Sequence, residues 1–339
     1  MYLFNKISIY FIMKILKGIL PFAICIFIIA FMPFAYKKTS AKQNLPLKTP
    51  EHKHVLSLWN IDVFEGGVGS RGDFLSKIAV DFRINGVLVM VVNHTVESAK
   101  NSIEQGDLPD MISYGVGVDF VSKYARSLPK IDFSGGKLGG NFFAYPWCAG
   151  AYFLIAKNEN NQPIDKLFVA KSTYNMPFGA IYFGKVEAKE VEVKNSLDAY
   201  SAFVSSKENV ALLGTQRDLK RLEQRGLEFY AEPIGVFSDL VQYVSVFAKD
   251  TDRFNECVSF IKYLISEKVQ KQLYKIGMLS VFYNVYTEGV MAKVDFSKFQ
   301  YTVSPFVNCE VLLAVNHGFS TIKITNISLL DFKNVLKRL

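Results

Sequence analysis

The sequence predicts an α/β protein in which a parallel sheet is flanked by helices and the chain is divided into two domains or two lobes. Strand-like and helix-like patterns alternate with short connections between residues 55 and 115, which is typical of parallel sheets. About 300 residues follow a basic, apolar leader, enough for two lobes with substantial cores. Residues 142–156 then combine a proline turn with a fully apolar run, which indicates a strand that leaves the first lobe.

The predicted elements of the first part alternate regularly. The first strand is expected over 55–64, followed by a helix at 72–83, a strand at 87–92, a helix at 95–104 and a short strand at 111–115. Ligands on such sheets gather at the carboxyl ends of the strands. We therefore expect a binding site where these strands end.

The second part of the chain is less regular, and no internal repeat is visible. A short buried strand stops at Gly214 and leads into a charged helix. Residues 252–275 carry one apolar stripe at helical spacing, which predicts a docked helix, and Gly277 would end it. Further strands are predicted at 228–235 and 242–249, and a terminal helix at 329–339.

The leader indicates the compartment. Residues 1–41 contain five lysines and no acidic residue, and residues 18–35 form an uncharged apolar run. This order predicts a signal peptide or an N-terminal membrane anchor, while lipidation at Cys25 is disfavoured by a poor lipobox. Residues 42–54 hold two prolines and no apolar periodicity, so they form a predicted linker. We expect an extracytoplasmic protein, at the cell surface or anchored in the membrane.

The chain outside the leader is nearly neutral. It has 39 basic and 31 acidic residues in total, and removing the five leader lysines leaves 34 against 31. This balance offers no electrostatic footprint for nucleic acid. Cys148, Cys257 and Cys309 are too few for a disulfide framework, so we expect buried free thiols. No spacing is typical of a metal site, and no cofactor is predicted.

The most informative stretch is the glycine-rich turn that separates the first strand from the first helix. It carries four glycines between Gly66 and Gly72, together with Trp59, Asp62 and Glu65. Glycines let backbone N–H groups and a helix N-terminus approach a ligand closely. The turn therefore predicts a binding site for a polar ligand, although a tight turn without a ligand is an open alternative.

A nucleotide site is the second alternative for this turn, because Gly67, Gly69 and Gly72 formally satisfy the GxGxxG pattern. That motif also needs an acidic residue at the end of the next strand. The next strand instead ends in asparagine, histidine and threonine, and Glu65 would repel a pyrophosphate. The nucleotide interpretation is therefore disfavoured.

Several motifs in a fixed order carry a family resemblance over residues 55–281. They are WNIDVFEGGVGSR, GDLPDM before GVG, AYPWCAGAY, LLGTQRDLKR and QYVSVFAK followed by a helix. In these motifs the chain resembles the extracellular solute-binding proteins of ATP-driven importers, close to the sugar-binding group. The resemblance implies two lobes, each a mostly parallel sheet flanked by helices, which are joined by crossover strands and close over a solute. It also implies a monomer that presents a small solute, with sugar favoured, to a membrane permease.

The resemblance also implies the lobe boundaries. The first lobe would comprise residues 55–147 plus 245–339, and the second lobe residues 148–244. The hinge strands would lie near 145–151 and 242–249.

Candidate site residues follow from what a sugar offers, namely flat C–H faces and a ring of hydroxyls. Trp59 and Trp147 are the two tryptophans and are candidate platforms, although Trp147 could be hinge packing. Tyr243 is as well explained by core packing, and Arg217 by a charge pair at a helix start. The candidate ligand-binding residues are Trp59, Asp62, Glu65, Gly67, Ser70, Arg71, Gly115, Gly117, Trp147, Thr215, Gln216, Arg217, Gln242 and Tyr243.

Two other classes of function stay open in the sequence. Asp62 and Glu65 could in principle support glycoside hydrolysis, but nothing assigns them separate acid and base roles. None of the four histidines joins a serine or cysteine constellation, so no catalytic residue is predicted. A membrane-anchored ligand sensor without a transport role is the other alternative.

Overall fold

The structure is a computed structural model that describes residues 54–82, 86–131, 136–159, 163–207 and 209–325. The predicted leader, nearly all of the linker and the terminal helix at 329–339 lie outside these residues.

The first part of the chain alternates strands and helices as predicted. Both helices begin at a side-chain cap: Ser70 accepts a hydrogen bond from the backbone N–H of Asp73, and Thr95 from that of Ser98. The elements are β1 (His54–Ile61), α1 (Arg71–Asp81), β2 (Val87–His94), α2 (Val96–Glu104) and β3 (Met111–Tyr114).

The predicted crossing segment consists of two strands. A short hairpin, β4 (Lys137–Leu138) and β5 (Asn141–Phe142), precedes it. The chain then forms β6 (Tyr145–Ala149) in the first sheet and β7 (Tyr152–Ala156) in the second sheet. Two residues separate these strands, so the chain passes directly from one sheet to the other.

The next part of the chain repeats the order of the first part. Three parallel strands alternate with helices, although the sequence shows no repeat. The elements are β8 (Ile164–Ala170), α3 (Pro177–Phe183), β9 (Ala188–Lys194), α4 (Ser196–Ser205), β10 (Val210–Thr215) and α5 (Gln216–Gln224).

Among the remaining elements that the structure describes, only β13 returns the chain to the first sheet. They are β11 (Tyr230–Pro233), β12 (Phe237–Ser238), β13 (Val241–Val246), α6 (Thr251–Leu264), α7 (Glu267–Gln270), β14 (Tyr301–Thr302) and α8 (Cys309–Thr325).

The prediction of a single helix over 252–275 is wrong in one respect: α6 ends at Leu264 and the separate helix α7 begins at Glu267. The hydroxyl of Ser266 donates to the carbonyl of Tyr263 at 2.6 Å, and such a local bond competes with helix continuation. Gly277 ends the last turn in the left-handed conformation, as predicted.

The two large sheets have the same design. The first has the order β2-β1-β3-β13-β6 and the second β11-β7-β10-β8-β9. In each sheet three neighbouring strands are parallel, and the fourth strand is antiparallel to both of its neighbours. The strands of the first sheet and their helices form the first lobe, and those of the second sheet form the second lobe. This is the two-lobed α/β arrangement that the sequence predicts.

The segment after residue 289 contacts the second lobe, whereas the sequence assigns all of 245–339 to the first. β14 pairs with β12, and the ring of Tyr301 lies 3.9 Å from that of Phe183 on α3. The ring centroid of Phe319 on α8 lies 5.0 Å from that of Tyr182, and the two rings are tilted. These aromatic contacts hold the segment against the second lobe and favour an end of the first lobe near residue 290. The lobe boundaries themselves stay a prediction.

Two of the three described cysteines, Cys148 and Cys257, are buried free thiols as expected, while Cys309 is partly exposed. None of the helices that the structure describes has the length and apolar content needed to cross a bilayer.

Candidate functional site

A cavity of about 250 Å³ lies where strand ends of the two sheets face each other. The first lobe contributes the turn after β1, and the second lobe contributes the loop after β8 together with the end of β10. Its lining residues are Val63, Phe64, Glu65, Tyr152, Ala170, Lys171, Ser172, Thr173, Tyr174, Asn175, Pro177, Ser196, Leu213, Thr215 and Asp218. This is the position at which parallel α/β sheets bind ligands.

The glycine-rich turn is held together by Arg71. Its Nε donates to Asp62 at 2.8 Å, one Nη donates to the carbonyl of Phe64 at 2.7 Å, and the guanidinium lies over the Phe64 ring. Arg71 is only 4% exposed. It therefore organises the turn, and the prediction that it contacts a solute is not met in this arrangement.

Gly67 has a packing role in the same turn. Its φ is +70°, and a methyl group there would overlap the carbonyl oxygen of Ile276. The neighbouring N–H of Val68 donates to that carbonyl at 2.9 Å. The glycine thus lets the turn lie against residues 273–277.

Glu65 joins the two lobes. Its carboxylate accepts a hydrogen bond from the Ser196 hydroxyl at 2.7 Å and lies 3.5 Å from the Arg217 guanidinium. Ser196 begins α4 and Arg217 is in the first turn of α5, so one first-lobe side chain contacts two second-lobe helices. The predicted site residues Glu65 and Arg217 therefore meet at the cavity rim.

The loop between β8 and α3 supplies most of the second-lobe lining. Tyr174 is half-buried, and burial raises the pKa of its phenol. Asn175 is buried, and its Oδ1 has no hydrogen-bond partner among the described residues. Sequence reasoning missed both residues because this loop has no glycine cluster. The only signal for this loop is the structural repeat, in which the loop occupies the position that the glycine-rich turn has in the first lobe.

The start of α5 completes the cavity wall. Thr215, a predicted site residue, lines the cavity at the end of β10. Asp218 accepts a hydrogen bond from the Thr215 N–H at 2.9 Å, and burial raises the pKa of its carboxyl despite this donor and Arg221. Gln216 is buried and accepts from the N–H of Ala151 at 3.1 Å, which ties it to the crossover.

A second, open groove of about 370 Å³ adjoins the cavity on the first lobe, and Tyr174 lines both spaces. The predicted residues Asp62 and Ser70 lie in this groove. The Asn60 amide donates to Asp62 at 3.2 Å and to Asn93 at 2.9 Å, so the polar groups of the floor are linked to one another.

Both tryptophans lie in the interior, which corrects their prediction as platforms. Trp147 is fully buried, stacks on Phe74, and its indole N–H donates to Ser113 at 3.0 Å. Trp59 is 5% exposed and its ring centroid lies 4.2 Å from that of His94. β1 and β6 are covered on both sides, so a tryptophan in either strand serves the core.

Gln242 and Tyr243 are also fully buried, which corrects their prediction as solute contacts. The Gln242 amide donates to the carbonyl of Ile61 at 2.9 Å and to Ser113 at 3.1 Å. These bonds fix β13 to its neighbour β3 and, beyond β3, to the end of β1.

Gly115 and Gly117 lie at the end of β3, where space is short. A side chain at Gly115 would overlap Val63. Gly117 has a φ of +84°, and the space beside it is filled by the ring of Tyr174 from the second lobe. The two glycines therefore allow close approach of neighbouring chain segments at the cavity edge.

The same architecture occurs among proteins of known structure. No family model matches the chain, and no curated protein matches its sequence. Among solved structures, 817 chains match, so the fold is a widely used one. The class that the fold defines is a two-lobed α/β architecture with a mostly parallel sheet in each lobe, which confirms the predicted fold class.

One solved example is the sugar-binding protein MalE from the phytopathogen Xanthomonas citri. The two structures align with a TM-score of 0.57 over 84% of this chain and 96% of that chain, at 11% sequence identity. At this identity the likeness establishes the fold.

Proposed function

We propose that the protein is an extracytoplasmic solute-binding protein that holds a small polar solute, with a carbohydrate favoured, between its two lobes without chemical conversion. One observation carries this proposal: strand-end loops of both sheets line a single cavity, and Glu65 bonds from one lobe to Ser196 of the other beside it. A solute in this space contacts both lobes at once. Its binding free energy then favours the closed arrangement of the lobes.

The lining chemistry suits a sugar. Tyr152 and Tyr174 line the cavity with aromatic side chains that can pack against C–H groups, and the amide of Asn175 lies beside them. Further hydroxyls, two carboxylates and one ammonium group lie around them, from Glu65, Lys171, Ser172, Thr173, Ser196, Thr215 and Asp218. The volume is below the ~300–1,000 Å³ usual for drug-sized ligands, so it suits one small solute. The name of the sugar-binding MalE neighbour supports the same class of ligand.

The remaining parts of the proposal rest on the sequence. The basic, apolar leader supports export or anchoring, and the ordered motifs support a role beside the permease of an ATP-driven importer. Both carboxylates considered for hydrolysis are engaged by arginines, Asp62 by Arg71 and Glu65 by Arg217. This pairing supports binding over catalysis.

The proposal is tested with the purified protein and a panel of xylose, glucose, galactose, maltose, cellobiose and sucrose. A thermal-shift screen identifies a stabilising saccharide, and calorimetry then gives its dissociation constant. Tyr174→Ala should weaken binding by about 1–3 kcal/mol, because the ring forms the wall between the cavity and the groove.

Tyr230→Ala is the matched control, since Tyr230 is an exposed tyrosine on β11 of the same lobe and lies outside the cavity lining. It should leave the affinity unchanged. A panel without any stabilising saccharide, or equal effects of the two substitutions, would contradict the proposed site.

A further inference from the structure

The segment between β14 and α8 lies against both lobes. At its end it leads into α8, which packs on α3 of the second lobe. On the other side, the ring centroid of Phe306 lies 6.4 Å from that of Tyr114 on β3 of the first lobe. Asn308 also pairs with Gly117, just after β3, in a single backbone bridge. The segment therefore spans the boundary between the lobes.

Asn308 uses the two ends of its amide for different lobes. Its Oδ1 accepts a hydrogen bond from the backbone N–H of Glu310 at 2.8 Å, so the side chain caps the start of α8. Its Nδ2 donates to Oδ2 of Asp119 at 2.9 Å. Asp119 begins a short 3₁₀-helix that follows β3. One amide group thus joins a capped helix of the second lobe to the first lobe.

The helix α8 gives this contact a fixed base on the second lobe. In the middle of α8, Oδ1 of Asn316 accepts a hydrogen bond from the backbone N–H of Phe178 on α3 at 3.1 Å. The cap at the helix start holds Oδ1 of Asn308, and this orients its Nδ2 towards Asp119. A donor that is already oriented loses little conformational entropy when its bond forms.

The contact lies at the edge of the proposed solute cavity. The thiol of Cys309, the first residue of α8, donates to the carbonyl of Thr173 at 3.6 Å, and Thr173 lines the cavity. The ring of Tyr174, which also lines the cavity, fills the space beside Gly117. The residues that flank the Asn308 contact on both lobes are therefore neighbours of the cavity wall.

We propose that Asn308 is a positioning residue for the solute site, whose bond to Asp119 forms when the lobes close on a solute and holds them closed. This inference rests on the proposed function, in which the lobes close. Because the two partners belong to different lobes, separation of the lobes breaks the bond. The bond therefore stabilises the closed state alone, and with it the captured solute.

The proposal predicts which rate constant of solute binding depends on Asn308. A contact that exists only in the closed state slows release of the solute, whereas the open protein that captures the solute lacks this contact. A single hydrogen bond between exposed partners contributes a modest factor. Its loss should therefore raise the dissociation rate constant about two- to tenfold, and the association rate constant should change less than about twofold.

Asn308→Asp is the main test variant. Aspartate caps a helix as well as asparagine does, so α8 keeps its start, but a carboxylate cannot donate and carries the same charge as Asp119. Release of the saccharide with the largest thermal shift is followed on dilution through a pair of spectroscopic labels in the two lobes. Release should be faster by about two- to tenfold. A packing role alone would instead lower the melting temperature and leave the release rate unchanged.

A double variant tests whether the bond itself is responsible. Asn308→Asp combined with Asp119→Asn exchanges the donor and the acceptor, so the amide at position 119 can donate to the carboxylate at position 308. The net charge equals that of the wild type, and slow release should return.

Asn316→Asp is the matched control. It makes the same chemical change on α8, at a residue whose acceptor oxygen contacts α3 of the second lobe. It should release the saccharide at the wild-type rate. Unchanged release in Asn308→Asp, no recovery in the double variant, or equally fast release in Asn316→Asp would overturn the proposal.

A variant in the first lobe keeps the test decisive if Asn308→Asp does not fold. Asp119→Ala removes the same bond without changing α8 and should also speed release, and unchanged release would overturn the proposal. A panel in which no saccharide binds refutes the proposed function itself. The lobe separations of the solute-free protein then decide about Asn308: they should broaden in Asn308→Asp and narrow again in the double variant, and an unchanged distribution refutes the contact.

Discussion

The two lobes repeat one order of strands and helices, but they offer different loops to the cavity. In the first lobe the loop after β1 is rich in glycine and charge, and Arg71 binds it internally. In the second lobe the loop after β8 carries tyrosine, asparagine and hydroxyl side chains that face the cavity. The first loop closes the cavity by bonding across to α4, whereas the second supplies most of the wall.

Equivalent positions in a repeated fold therefore need not share a role. Both tryptophans lie in the interior of the first lobe. The aromatic groups at the cavity are Phe64 from the first lobe and Tyr152 and Tyr174 from the second. A ligand-binding surface is thus set by loop composition, while the strands and helices set only where the loops meet. The following substitutions test this division.

The largest effect is expected for Trp147→Ala in the first lobe. The side chain is fully buried and its indole N–H donates to Ser113, so its removal leaves a large cavity and removes one buried hydrogen bond. We expect a loss of about 3–5 kcal/mol in the free energy of unfolding, measured by urea denaturation. Normal stability combined with weak solute binding would instead show that Trp147 is a platform after all.

A smaller effect is expected for Asp110→Ala. Arg253 donates two hydrogen bonds to this carboxylate, at 2.6 Å and 2.9 Å, and the backbone N–H of Ser57 donates a third at 2.8 Å. The variant should lose about 2–3 kcal/mol, since it removes three hydrogen bonds to a largely buried carboxylate, two of them from a charged group. The control Asp165→Ala removes an exposed pair with Lys189 in the second lobe and should cost less than about 1 kcal/mol.

The contribution of Asp110 should depend on pH. Burial alone would raise its pKa, but the hydrogen bonds from Arg253 and Ser57 hold the pKa below the usual range. The stabilisation is therefore complete above about pH 4 and is lost as the pH falls through the folded-state pKa. The stability difference between wild type and Asp110→Ala should shrink in acid, and a constant difference would contradict the ion-pair explanation.

An intermediate effect is expected for Gly67→Ala, compared with Gly226→Ala. Both glycines have positive φ, +70° and +63°, but only Gly67 faces a carbonyl oxygen, that of Ile276. Gly226→Ala should cost about 1 kcal/mol from backbone strain alone, and Gly67→Ala about 2 kcal/mol or more. Equal losses in thermal denaturation would show that the contact of the turn with residues 273–277 is unimportant.

The smallest effect on stability is expected for Glu65→Gln. Its side chain is half exposed, so loss of the pair with Arg217 should change stability by less than about 1 kcal/mol. The distribution of lobe separations should broaden, however, which a pair of spectroscopic labels in the two lobes would detect. The control is Glu232→Gln on β11, which also removes one negative charge but at an exposed position. It should leave the lobe separations as in wild type. A broadening that is the same in both variants would contradict the bridging role of Glu65.

Much of the fold could be predicted from the sequence, because it depends on periodic patterns. The alternation of β1 to β3 with their helices, the crossing at 142–156 and the glycine-rich turn all follow from apolar spacing and glycine content. The segment after residue 289 was assigned to the first lobe as a whole, and helix α8 within it was not predicted.

The site was less predictable than the fold. Glu65 and Thr215 were predicted because they flank a glycine cluster and a strand end, and both line the cavity. Tyr174 and Asn175 were missed because their loop carries no motif. Trp147 was misplaced because β6 is buried on both faces, so its sequence gives no sign of which side faces the cavity.

The crossover between the lobes has one further consequence. Three chain segments cross there and are bonded side by side: Ala149 pairs with Leu279, and the N–H of Gly150 donates to the carbonyl of Leu240 at 2.6 Å. Sliding or twisting of one lobe on the other would break these backbone hydrogen bonds, at about 1 kcal/mol each. Bending the three chain segments together at the crossover would preserve the bonds. In the proposed closure, the three segments would therefore bend together as one unit, and the two halves would meet in the same register each time.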